Sequence, residues 1–311
     1  MKQKKKVAYR ITLYIMTLQI VIFVMLYIFM SKTITGNIRE NTVECMKTIV
    51  DDRSQIIESY VRKAEGYLTA YSRAGEIADL LADPSNPDAV AAAQRYTEMF
   101  SGDIERLEGI YVSEWNTHVL AHTNKDVVGI TTREGESLKA LQDSMMSADG
   151  VYNAGFIFSP ASEKQIVSMY RACLDENGKP IGLVGAGIFI SGLKEELNNL
   201  PTAGLKNERY YLINTQTGEY IFHDEEEKLG QSVEEAFIVN IVKELNENGG
   251  TSHGTEYLEY TDGGEDSIAA YHYFPDRNWL FILTDTEDEI FMTANVARVE
   301  LLTLCIVALV F

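Results

Sequence analysis

The sequence predicts an α+β protein carried on an N-terminal transmembrane helix. A long stalk helix, two tandem units with antiparallel sheets and the start of a second transmembrane helix complete it. Three observations carry this expectation. Residues 11–30 contain no charged side chain. Residues 31–83 contain no proline and carry an apolar stripe of helical period. The order strand, strand, helix, three strands occurs twice, about 100 residues apart.

The anchor comes first. Residues 1–10 hold Lys2, Lys4, Lys5, Lys6 and Arg10 and no acid. They read as a cytoplasmic tail, because Lys and Arg before a first span stay on the cytoplasmic side. Residues 11–30 are twenty predominantly apolar residues, the length that ~30 Å of hydrocarbon requires of a helix. A cleaved signal peptide has a shorter core, ~7–15 residues, ending in small residues. Here Ser31-Lys32-Thr33-Ile34 follows, so the span is read as uncleaved.

The remainder is acidic. The chain has 27 Lys+Arg and 46 Asp+Glu. Setting aside the five basic residues of 1–30 and the pair Arg298 and Glu300 leaves 21 basic against 45 acidic residues, a net −24 for 31–297. Such a surface repels nucleic acid and anionic headgroups and suits a domain in water. No nucleic-acid partner is expected; lipid meets only the spans. Cys45, Cys173 and Cys305 form neither a disulfide framework nor a zinc spacing.

The stalk follows. Met46, Ile49, Ile56, Tyr60, Ala64, Tyr67 and Tyr71 recur at three, four or seven residues, one stripe of a helix. It can run about 50 residues, ~75 Å, in continuation of the membrane helix. An exposed apolar seam needs a partner, so the stripe predicts a parallel homodimer. A second helix starts where Asn86 caps, Pro87 takes the first turn and Asp88 meets the positive dipole end.

Two units of like order then follow. In the first, 107–113 and 118–123 read as strands, 134–147 as a helix, and 151–159, 164–174 and 180–190 as a meander. Asp175-Glu176-Asn177-Gly178 is a hairpin turn. In the second, 209–214 and 219–224 are strands, 232–246 a helix, and 251–260, 267–274 and 279–284 strands. Ala121-His122-Thr123 and Phe222-His223-Asp224 fall at matching places. The uncharged run 301–311 reads as the first half of a second span.

Several side chains can carry chemistry. Tyr111, Tyr152 and Tyr170 lie on different strands of the first unit, and aromatics converging on a cleft bind small molecules. Thr131-Thr132-Arg133 precedes a helix; it is either an anion site of hydroxyls, free N–H groups and guanidinium, or an ordinary helix start with a solvated arginine. His118 and His122 share a strand face without a third metal ligand nearby, so His122 is counted with the ligand-binding set and no metal is expected. Gly182, Gly185 and Gly187 lie in a strand and leave room for a ligand or for close packing. No GxSxG, HExxH, P-loop or CxxC occurs. No catalytic residue and no cofactor are expected.

This layout resembles the double Cache (dCache) sensor region of bacterial chemoreceptors, sensor kinases and transmembrane diguanylate cyclases. Gly182-Leu183-Val184-Gly185-Ala186-Gly187-Ile188 looks like the last strand of its membrane-distal unit. Residues 126–141, DVVGITTREGESLKAL, look like the loop and helix that close its pocket. The resemblance implies two PAS-like units, a membrane-distal one (107–200) that binds ligand and a membrane-proximal one (201–296), after a stalk and second helix (31–106). The second span starts within 297–311. Members that bind amino acids have a basic residue and a Trp before the pocket helix, Tyr-x-Asp on the third strand and Asp on the last. Here Arg133 lies near the basic position, and Glu136 or a neighbour stands where Trp is expected. Tyr152 fits the tyrosine, while Ala154 and Gly187 replace the two carboxylates that hold an ammonium group. A retained arginine without them implies a carboxylate-bearing ligand. The expected role is a chemoreceptor's sensing region, with a kinase or cyclase sensor as alternative and a cytoplasmic output module after Phe311. A membrane-anchored surface enzyme is the alternative of another class.

Overall fold

The structure is a computed structural model that describes residues 2–159, 162–200, 205, 208–249, 254–287 and 291–310. The chain forms two units, one of residues 53–200 and one of residues 1–52 with 201–311.

Helix α1 runs unbroken over Lys2–Ser72. Its apolar beginning is long and hydrophobic enough to cross a membrane. The expected continuity of anchor and stalk holds. The helix stops short of Asp83, however. Arg73 and Ala74 donate to Ala70 and Tyr71, three residues back, and Ala74 turns extended before α2 (Gly75–Ala82).

The stripe on α1 also differs from expectation. Met46, Ile49, Ala64 and Tyr71 are buried, and Ile56, Tyr60 and Tyr67 are half-buried. The stripe is core of its own chain. The exposed seam from which the homodimer was inferred is therefore not there.

In the unit 53–200, α3 (Pro87–Gly102) begins where expected, with the Asn86 side chain accepting from the Asp88 N–H at 3.0 Å. Tyr71 meets the buried Thr97 hydroxyl of α3 at 2.6 Å and packs against Tyr96 and Phe100. Five strands follow: β1 (Leu107–Glu114), β2 (Val119–His122), β3 (Val151–Phe158), β4 (Gln165–Leu174) and β5 (Pro180–Phe189). They form one antiparallel sheet in the order β2-β1-β5-β4-β3. The expected turn joins β4 to β5. The Asp175 carboxylate accepts from the Asn177 and Lys179 N–H groups, both at 2.8 Å, and Gly178 takes φ +78°. Helix α4 (Gly135–Ser147) packs on the β5 face that carries Leu183. Leu81 of α2 packs on the other, against Gly182. Helix α5 (Ile190–Asn198) was not expected; its Ile190, Leu193 and Leu197 make a buried stripe directly after the strand.

The other unit repeats the plan. Its strands are β6 (Arg209–Asn214), β7 (Glu219–Phe222), β8 (Thr255–Asp262), β9 (Glu265–Phe274) and β10 (Trp279–Thr286), in the order β7-β6-β10-β9-β8. The first part of the expected strand 251–260 lies outside the described residues. Helix α6 (Ala236–Glu247) lays Phe237, Ile238, Ile241 and Leu245 on the sheet, and Phe237 stacks on Tyr260 with ring centroids 3.9 Å apart. Helix α7 (Met292–Val310) ends the described chain, and Arg298 on it donates to the Thr35 hydroxyl on α1.

Candidate functional site

In the unit 53–200 one line of paired residues crosses all five strands. Tyr111 on β1 pairs with His122 on β2 and with Gly185 on β5; Gly185 pairs with Tyr170 on β4, and Tyr170 with Tyr152 on β3. Directly paired residues put their side chains on the same face of a sheet. His122, Tyr111, Tyr170 and Tyr152 therefore form one polar-tipped aromatic row with a glycine at its middle. Tyr111 stacks on His122 at 5.3 Å and 19°, and Tyr152 on Tyr170 at 6.4 Å and 25°. Leu141 and Met145 of α4 face this row, with Trp115, Ala154, Ala172 and Leu183 around it.

Gly185 is the hinge of the arrangement. A Cβ there would lie 2.5 Å from Cε1 and Cζ of Tyr111. The ring occupies the space that any other residue would fill.

Arg133 reaches the row from the start of α4. Its backbone is clamped by Thr117, whose hydroxyl accepts from the Arg133 N–H at 3.0 Å and donates to the Arg133 carbonyl at 3.1 Å. The guanidinium donates to the Tyr170 hydroxyl at 3.0 Å, and the buried Ser168 hydroxyl donates to the same oxygen at 3.0 Å. Arg133 is half-buried and has no carboxylate partner among the described residues.

His122 is held at the row's end. The Gln94 amide of α3 donates to its carbonyl at 2.9 Å and accepts from its N–H at 3.2 Å. Its Nδ1 accepts from the Asn124 N–H at 2.8 Å, which leaves the proton of the neutral ring on Nε2. Burial lowers its pKa below the usual histidine value, against an opposing pull from Glu108. Burial pushes the Tyr111 hydroxyl far up, and the neighbouring Tyr170 adds to the rise.

The structure thus brings together Tyr111, His122, Arg133, Tyr152 and Tyr170. It does not bring Thr131 and Thr132 into the row. Both are exposed and lie before the helix, which starts at Gly135 with Glu134 as its cap. The N–H groups of Thr132 and Arg133 are already bonded to Thr117. An anion site of these hydroxyls and free amides is therefore not formed. Gly187 shares the face but sits one same-face position beyond Gly185. A Cβ on it would lie 2.7 Å from both Glu108 Oε2 and Ile166 Cδ1. Neither Ala154 nor Gly187 supplies a carboxylate, but Glu108 of β1 lies over Gly187. Trp115 supplies an indole beside the row. Sequence reasoning missed Trp115, Ser168 and Glu108 as site residues. The glycine run pointed to Gly185; nothing local marked Glu108.

A cavity of about 540 Å³ in the same unit opens on the opposite face, between α1 (Tyr60, Lys63, Tyr67) and Ile188 of β5. Its Arg106 is paired with Glu195 at 2.6 Å, and its Tyr60 hydroxyl donates to the Phe189 carbonyl at 2.7 Å. The row is the better candidate, because its arginine has no carboxylate partner among the described residues.

The other unit keeps this frame and fills it. Tyr211 pairs with Ile282, Ile282 with Tyr271, and Tyr271 with Glu256, while His223 packs edge-on against Tyr211 at 5.4 Å. His223 Nδ1 accepts from the Glu225 N–H at 2.9 Å, as His122 does from Asn124. Ile282 stands where Gly185 leaves room, and the Tyr271 hydroxyl donates to Glu256 at 2.9 Å. Glu234, at the Arg133 offset from the histidine, faces Lys228 at 3.6 Å. The matching site is packed core.

No curated protein sequence matches the chain. Solved structures share its fold. The sensory domain of the Campylobacter jejuni chemoreceptor Tlp3 (CcmL) with isoleucine bound aligns with TM-score 0.60 and 14% identity, over 82% of this chain and 96% of that one. The ligand-binding domain of the Pseudomonas fluorescens chemoreceptor CtaA with L-isoleucine aligns at 0.55 and 14%, over 83% and 98%. The sensor domain of the V. cholerae histidine kinase DctB aligns at 0.58 and 13%, over 81% and 98%. The profile of the Cache domain matches residues 31–294, and the chain therefore belongs to the Cache domain family.

Proposed function

We propose that the chain is the ligand-sensing region of a transmembrane signalling receptor. Its N-terminus is cytoplasmic, its two sheet units are extracytoplasmic, and the unit 53–200 is the membrane-distal one that binds a small carboxylate-bearing molecule. The observation that carries this reading is Arg133. A half-buried guanidinium that has no carboxylate partner among the described residues and donates to a phenol beside an aromatic row is a ready partner for an anionic ligand. The family membership supports sensing, and the chemoreceptor neighbours support a small-molecule ligand. Binding would favour one arrangement of α1 and of the second span, begun in α7, over another, and only differential affinity for the two can drive that shift. A chemoreceptor output is the first reading. A histidine-kinase output is the second, favoured by the likeness to the DctB sensor domain.

The test uses the whole chain in lipid nanodiscs. Succinate, malate and butyrate are expected to raise its melting temperature, and Arg133→Ala to remove that rise while still unfolding cooperatively without ligand. Carboxylate-induced stabilisation that survives in Arg133→Ala would overturn the reading.

A further inference from the structure

The cavity of about 540 Å³ on the other face of the sheet differs in chemistry from the aromatic row. Its size lies within the range of small-molecule pockets, about 300–1,000 Å³. Its floor is apolar and aromatic: Ile188 of β5 is buried, and Ile56, Tyr60 and Tyr67 of α1 are half-buried. Its rim is charged. Asp103 and Glu105 stand on it just before β1, and Glu196 on α5; all three are exposed. None of the three has an ion pair among the described residues. Two cations also line the cavity. Arg106 is held by Glu195 at 2.6 Å and lies directly over Gly192, on a left-handed backbone (φ +64°) that is uncommon for a residue with a Cβ. Lys63 sets its ammonium group over the Tyr67 ring, 5.9 Å from the centroid, and has no carboxylate partner among the described residues. With Arg106 and Glu195 cancelling, three carboxylates face one ammonium group. The cavity keeps an excess of two negative charges.

The Tyr60 hydroxyl donates to the Phe189 carbonyl at 2.7 Å, which leaves its oxygen able to accept. Burial pushes this hydroxyl up to about 12, and Glu196 adds to the rise, so it is a neutral phenol near neutral pH. We propose that this cavity is a second binding site and that it takes a small organic diamine. The two ammonium groups match the excess charge of the rim, and the carbon chain between them lies on the floor of Ile56, Tyr60 and Ile188. Lys63 is a tethered stand-in for one such group, since it already sets an ammonium on an aromatic face of the cavity. A hydrated inorganic cation gains nothing from such a floor. The site joins α1 to α5 and to the segment before β1, so a ligand there biases the same helix that runs into the membrane. The inference does not depend on the reading of Arg133.

The experiment compares 1,4-diaminobutane, butylamine and calcium chloride. Binding to the whole chain is measured by calorimetry in nanodiscs of zwitterionic lipid, where the amines meet no anionic headgroup. The diamine is expected to bind about 10-fold or more tighter than butylamine, the effect of one further hydrogen bond to a charged group. Glu196→Gln is expected to weaken the diamine about 10-fold. Lys63→Gln should tighten it about threefold, the scale of one exposed charge interaction, and misfolding cannot produce such a gain. Arg133→Ala should leave diamine binding unchanged, which separates this site from the aromatic row. The proposal is overturned if the diamine does not bind, or binds no better than butylamine. It is overturned equally if binding is indifferent to Glu196→Gln, is not tightened by Lys63→Gln, or is lost in Arg133→Ala. Displacement of the diamine by calcium would show a site for inorganic cations and overturn it too.

Discussion

The ring of Tyr111 occupies the space above Gly185: a Cβ on the glycine would come within 2.5 Å of the ring carbons. In the other sheet Ile282 takes the same place between two tyrosines.

Gly185→Ala should therefore displace the Tyr111 ring from its stack on His122. The expected cost is about 1–2 kcal/mol of stability, the scale of mild overpacking. Chemical denaturation of the chain in detergent measures it. In a Tyr111→Ala background the same substitution should be nearly neutral, and an undiminished cost there would place the strain elsewhere.

Tyr170→Phe removes the one oxygen that accepts from both Arg133 and Ser168. Ser168 is 5% exposed, so its hydroxyl loses its partner in a buried place. A loss of about 1–3 kcal/mol is expected, read as a lowered melting temperature. Ser168→Ala should cost less, because the bond between Arg133 and Tyr170 survives.

Gln94→Ala should free the edge strand β2. Its amide supplies two hydrogen bonds to the His122 backbone, and β2 is only four residues long. Hydrogen exchange at His122 and its neighbours is expected to accelerate several-fold while β4 and β5 remain protected, as local opening of a weakly held element predicts.

Stability should fall on both sides of neutral pH. His122 and His223 have pKa values lowered chiefly by burial, so the folded chain prefers the neutral rings. Their contribution is complete above the ordinary histidine value near 6.5 and is lost as pH falls below it, when the unfolded chain takes up the protons first. On the alkaline side, burial pushes the Tyr211 hydroxyl up to about 12. Its contribution is complete below pH 10 and declines as pH rises from 10 to 12, by about 2–3 kcal/mol in all. Melting curves from pH 5 to 11 test this. Replacing both histidines with glutamine should flatten the acid limb and leave the alkaline limb unchanged.

Much of the fold was legible because its signals are local. The uncharged run 11–30, the Asn86-Pro87-Asp88 helix start and the Asp175-Glu176-Asn177-Gly178 turn each act within a few residues. Strand positions followed from composition and alternation. Helix α5 was missed because its short stripe follows β5 without a turn residue between them. The α1 stripe was correctly read as apolar and wrongly read as exposed, since periodicity reports which face is buried and never what buries it.

The sequence by itself determined the membrane anchor, the acidic surface, the two-fold repeat of an α+β unit and the residue types available for binding. Only the tertiary structure decided which of those residues meet. His122, Tyr111, Gly185, Tyr170 and Tyr152 are spread over more than sixty positions, and long-range strand register alone lines them up. One bulge at the start of β1 sends Glu108 over Gly187, a change of face that no local period reveals. The clamp of Thr117 on Arg133 likewise joins a turn to a helix start that are sixteen residues apart. Composition offered the charges; pairing between distant strands set where they stand.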